Sequence, residues 1–116
     1  MGRLETKPND KHKTGESILV PCIPVETLLL ALNQSTVDYF SLDVEGLEYD
    51  VIRSLPLRKF NIRSWSVEYS HTNHVALKKH LLANGYAFKR QLNVYDKKVS
   101  LVVEDFIFMK KGGSWL

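Results

Sequence analysis

Residues 37–52, Val-Asp-Tyr-Phe-Ser-Leu-Asp-Val-Glu-Gly-Leu-Glu-Tyr-Asp-Val-Ile, constrain this chain more than any other stretch. They open as a short apolar run, reach two acids flanking a valine, turn at Gly46 and continue at helical spacing. A buried parallel strand reads this way when it ends at the rim of an α/β sheet and passes into a helix. Asp43 and Glu45 stand where such a strand delivers its last side chains, so they belong to any site the chain carries.

The flanking segments alternate in a way that fits the same architecture. Residues 17–20 read as a short strand closed by Pro21. Pro24 then suits the first turn of a helix whose apolar face is Val25, Leu28, Leu29 and Leu32. After the strand at 37–42, a helix over 45–55 places Leu47, Val51 and Leu55 on the face toward the sheet, and Asp50 and Arg53 three apart on the outer side. Residues 62–69 form the next strand, with Trp65, Val67 and Tyr69 on one face and Ser64, Ser66 and Glu68 on the other. A loop with an N-cap over 70–73 leads into a helix over 74–84, stacked on Leu77 and Leu81 and ended by Gly85. A strand over 86–92, a polar loop to Lys98 and a last strand within 101–109 complete the chain. Strand–helix alternation predicts a mostly parallel sheet, with the last two strands as an antiparallel pair at one edge. The domain is expected over residues 17–111, between a mobile N-terminal tail at 1–16 and a short tail at 112–116.

The bulk numbers agree with one modest globular domain. The chain has 116 residues, 44% hydrophobic and 25% charged, and a net charge of +3. Its basic residues are scattered, which argues for a solvated surface and against a nucleic-acid stripe. A single cysteine, Cys22, excludes an internal disulfide and any multi-cysteine metal site, and its surroundings read as those of a small buried hydrophobe. No apolar run approaches the ~20 residues of a membrane span.

The segment Asp38 to Glu48, with Asp43-Val44-Glu45-Gly46 at its centre, closely resembles the Asp-Val-Glu-Gly signature of the FkbM-type methyltransferases. Residues 25–29 resemble the leucine-rich helix before that strand, and Ser66-Val67-Glu68 resembles the family's next acid-ended strand. Residues 81–86 and 105–108 resemble its closing helix and last strand. The resemblance implies a Rossmann-like class I methyltransferase fold and S-adenosylmethionine as cofactor. It also implies methyl transfer, mostly to oxygen on a small-molecule acceptor such as a metabolite or sugar. The chain departs from that pattern in one respect. The glycine-rich turn that lets a backbone approach the cofactor after the first strand is missing. The chain therefore resembles the C-terminal half of a domain of roughly 200 residues, and is expected to be inactive alone.

On this reading Asp43 and Glu45 face the cofactor. Asp43 also orients the acceptor, and Glu68 or His71 takes its proton. The competing interpretation of Asp43 and Glu45 is favourable placement near a helix N-terminus. No spacing is diagnostic of a metal site. His12, His74 and His80 read as surface residues, Trp65 as core. The alternative function is a non-catalytic interaction domain on the same scaffold, with a protein partner, as in Star-type trafficking proteins.

Overall fold

The computed structural model describes residues 2–5 and 15–112. In chain order the elements are β1 (Gly2–Glu5), β2 (Leu19–Cys22), α1 (Val25–Ala31), β3 (Thr36–Val37), β4 (Phe40–Leu42), α2 (Glu48–Ser54), β5 (Asn61–Ile62), β6 (Ser64–Glu68), α3 (His74–Ala83), β7 (Tyr86–Asp96) and β8 (Leu101–Lys110). β3 and β4 follow one another across a bend at residues 38–39, and both run parallel to their partners β5 and β6.

The main sheet has the order β4-β6-β8-β7, with β4 parallel to β6 and β8 antiparallel to both β6 and β7. The expected antiparallel pair at one edge is present, but the expectation of a mostly parallel sheet is corrected: the sheet is mixed. β8 returns from β7 through a tight turn and enters between β7 and β6. That placement sets Phe106 opposite Val67 and Phe108 opposite Trp65, pairs whose large apolar side chains contribute roughly 0.2–1 kcal/mol each. β4 is an edge strand of this sheet. In β7 a bulge interrupts the ladder between Phe88 and Arg90, leaving Lys89 without an opposite residue.

One core joins the helices to a single face of the sheet. Trp65, Val67, Phe106 and Phe108 from the sheet share it with Leu77 and Leu81 of α3 and Ile52 of α2. The parity expected for residues 62–69 holds, and so does the Leu77/Leu81 face. The Tyr86 hydroxyl donates to the Ile62 carbonyl at 2.6 Å, so the polar end of a buried ring is satisfied. The N-cap is Asn73, whose side chain accepts from the Ala76 amide at 3.2 Å.

Other local expectations change. α2 starts at Glu48, and its buried residues are Glu48 and Ile52, with Leu55 just beyond it also buried, whereas Leu47 is exposed. The chain still turns at Gly46, so the helix is rotated by one position relative to the expected face. In α1 only Leu29 is buried; Leu28 and Leu32 point to solvent. β2 continues through Pro21 to Cys22, which is half-buried rather than enclosed. Proline is tolerated there because β2 pairs on one side only, with β1. Gly2–Glu5, placed by the sequence in a tail, forms that partner strand. β7 runs to Asp96, so residues 93–96 are ladder and not loop. Residues 1, 6–14 and 113–116 of the two expected tails, among them His12, lie outside the described residues.

Candidate active site at the carboxyl rim of the sheet

Because β4 and β6 are parallel, their carboxyl ends open on the same rim. Asp43 directly follows β4, and Glu68 is the last residue of β6. β8 runs the other way, and its register puts Asp105 opposite Glu68. A cleft of about 540 Å³ results, lined by Asp43, Glu45, Glu68, Ser70, His71 and the start of β8, from Val102 to Asp105. All four residues expected at the site are therefore brought together.

The loop from Asp43 to Leu47 is curled tightly. Glu45 and Gly46 both have positive φ, 54° and 105°. A Cβ on Gly46 would meet the His71 carbonyl oxygen at 3.0 Å, so glycine is required both for the backbone angle and for the close approach of the two loops. The Tyr49 amide donates to the Thr72 hydroxyl at 3.1 Å, a second tie between them. Glu48, fully buried, closes the turn: its carboxylate accepts from the Val44 amide at 2.6 Å and from the Gly46 amide at 3.0 Å.

Carboxylate oxygens of Asp43, Glu48 and Glu68 all lie within 4.8 Å of one another. Glu68 carries the consequence. A hydrogen bond shared with Asp43 is the largest effect holding its carboxyl above the ordinary value of 4.5; burial adds to it, as do the charges of Asp43 and Glu48. The Ser70 hydroxyl, which donates to Glu68 Oε1 at 2.7 Å, pulls the other way. His71 is open to solvent: its side chain is 66% exposed and its Nε2 stands 3.8 Å from Glu68 Oε1, beyond direct hydrogen-bond reach. Ser66, nearly buried on the same face, donates to Asp105 Oδ2 at 2.8 Å.

The sequence of this rim has a counterpart elsewhere: residues 3–88 match the methyltransferase FkbM domain. The chain belongs to the FkbM methyltransferase domain family. No curated protein and no solved structure gives a significant match. The FkbM match includes the loops that carry Asp43, Glu45, Glu68 and His71 and ends early in β7. Val102 to Asp105, which form the far wall of the cleft, lie beyond it.

Sequence reasoning missed Glu48, Ser70, Glu104 and Asp105. Glu48 carried a usable signal, an acid two residues past a glycine at a helix start, where a side chain can turn back onto orphan amides. The acids of β8 carried none, because their neighbours at the rim are set by strand order. His80 was read as a surface residue. It is half-buried, its Nε2 has no hydrogen-bond partner, and burial first, then the charge of Arg53, lowers its pKa from 6.5.

Proposed function

We propose that the rim cleft is the acceptor side of an S-adenosylmethionine-dependent methyl-transfer site. The observation that carries the reading is the donor set. Asp43, Glu45, Glu68, Glu104 and Asp105 line the cleft, with no lysine or arginine among its lining residues. Such a surface complements positive charge. When bound, S-adenosylmethionine supplies a methyl group on a positively charged sulfur. Asp43 and Glu45 are the residues that would face that charge. None of the described glycines forms a glycine-rich turn on the rim, so the donor set fits one end of the cofactor only.

Asp43 orients the acceptor hydroxyl. Glu68, whose carboxyl is held above its ordinary value by Asp43 and by burial, is the group suited to take its proton, because a carboxylate with a raised pKa is the stronger base. Ser70 fixes one Glu68 oxygen, Oε1, by donating to it. His71, exposed at the mouth 3.8 Å from Glu68, would pass the proton to solvent through a bridging water. The acceptor is a neutral or cationic hydroxyl compound. A unit negative charge about 6 Å from one carboxylate is opposed by roughly 3 kcal/mol at an effective dielectric of about 20, and the lining presents several.

Comparison of S-adenosylmethionine with S-adenosylhomocysteine, which lacks the sulfur charge, tests this reading. By calorimetry the chain alone is expected to show no micromolar binding of either. At millimolar concentration, NMR signals of Asp43, Glu45 and Glu68 are expected to move with the sulfonium compound and much less with the thioether. Equal responses to both, or no response at the rim, would remove the assignment.

A further inference from the structure

We propose that Glu48 is the positioning residue of this rim: its buried carboxylate folds the loop over residues 43–47 and so holds Asp43 against Glu68. The proposal deepens the methyl-transfer reading and rests on it for the role of Asp43 and Glu68. Three independent features point to Glu48.

First, its environment is costly. A carboxylate with no solvent exposure loses several kcal/mol of hydration, and two neighbouring carboxylates oppose its charge. Second, its hydrogen bonds are all from one loop. Oε2 takes the Val44 amide and Oε1 the Gly46 amide, at 2.6 and 3.0 Å. Charge-assisted bonds of this kind are about twice as strong as neutral ones. Third, the loop they close is strained. A non-glycine residue at φ 54°, as Glu45 is, costs of order 1–3 kcal/mol and persists only where surrounding contacts hold it. Asp43 enters this loop one residue before the first amide that Glu48 takes. Released, the loop loses the two bonds that aim Asp43 at the rim, and the close approach of the Asp43 and Glu68 carboxyls loses its support.

A glutamine at this position keeps the shape but presents one oxygen and one N–H pair, so it can serve only one of the two amides well. The experiment is a carboxyl NMR titration of Glu68 in the whole chain, in the unaltered protein, Glu48→Gln, Asp43→Asn and the double variant. Glu48→Gln is expected to bring the Glu68 midpoint down toward 4.5, and to bring it down by much less when Asp43→Asn is already present, where only the direct charge of Glu48 is left to remove. A fall of the same size in both backgrounds would show only a direct charge effect, and no fall would show no coupling; either overturns the proposal. Should Glu48→Gln fail to fold, amide exchange in the unaltered protein decides. Val44 and Gly46 are expected to exchange at least about 100-fold slower than an unstructured peptide, and free exchange at both sinks the idea. Neither readout uses cofactor or acceptor. A rim built this way that transfers no methyl group therefore leaves the positioning role standing, and the reverse outcome is equally visible.

Discussion

At Gly46 the backbone excludes a side chain twice over, by its φ of 105° and by the His71 carbonyl 3.0 Å from where a Cβ would stand. Gly46→Ala is expected to destabilise the fold by about 1–3 kcal/mol, read as a fall in the denaturant midpoint, and to separate the two rim loops. Glu68 gives a prediction of opposite sign. Its folded pKa is raised above 4.5, so the native state holds its proton more tightly than the unfolded chain. The stability this provides is full below 4.5 and is lost as pH rises through the folded pKa. Glu68→Gln is expected to flatten that loss and hold the protein firmer at neutral pH. In a protein with the complete cofactor site, the same change should cut turnover by roughly 10²–10⁴-fold. A melting series from pH 4 to pH 8 beside the rate measurement checks both. His80 runs the other way: with its pKa lowered from 6.5, stability is present above 6.5 and declines as pH falls below it. His80→Leu should remove that decline and relieve an unpaired buried nitrogen, worth about 1 kcal/mol. At this scale the placement of Asp43 and Glu68 at the rim was legible because each stands at the end of a strand, with His71 in the loop that follows β6. Glu48 was not, because a side chain reaching back to its own backbone leaves no periodic trace.

The elements were most legible where burial imposes a period. The two-residue parity of β6 and the Leu77/Leu81 face of α3 are buried as the sequence implied, and Leu77→Ala is expected to cost about 2–5 kcal/mol by urea denaturation. Legibility fell where one face is uncovered. α1 carries three leucines in a row, and a hydrophobic pattern cannot reveal that Leu29 is buried, with Val25 packed beside it, while Leu28 and Leu30 are exposed. Residues 93–96 have no apolar alternation to mark them, since that end of the β7–β8 ribbon is open to water on both faces. It is a strand only because β8 pairs with it.

For the molecule as a whole, local alternation of strands and helices indicated an α/β fold and the Asp43–Gly46 segment resembled the family, but neither could show that β8 enters between β6 and β7. Strand order is set by long-range pairing, and no local pattern records it. The same long-range order assembles the charge of the cleft, because β8 brings Glu104 and Asp105 to the acids of the first two strands. A neutral hydroxylated acceptor is therefore expected to be used at least about 10-fold better in kcat/KM than its own phosphate ester, with the gap narrowing as salt is raised. Preference for the ester would contradict the cleft's charge. A second molecular-scale feature is the apolar surface left around β2 and α1, where Ile18, Leu19, Ile23, Leu30 and Leu32 are all exposed. Dye binding that reports apolar surface is expected in the native state, and to fall in a Leu30→Lys, Leu32→Lys variant.

The unpaired Lys89 in β7 acts as an elbow. Beyond it the ribbon continues in register for its whole length, so the bulge alters the direction of the arm without altering its pairing. Val102 and Val103 reach the cleft along that arm, which lies outside the span matched to the family. Removing Lys89 would relax the local bend and twist of the arm while every facing pair stayed intact, and so would shift the far wall relative to the rim. The reach of the wall over the rim can thus vary by single-residue insertions in β7, leaving the loops of Asp43 and Glu68 unchanged.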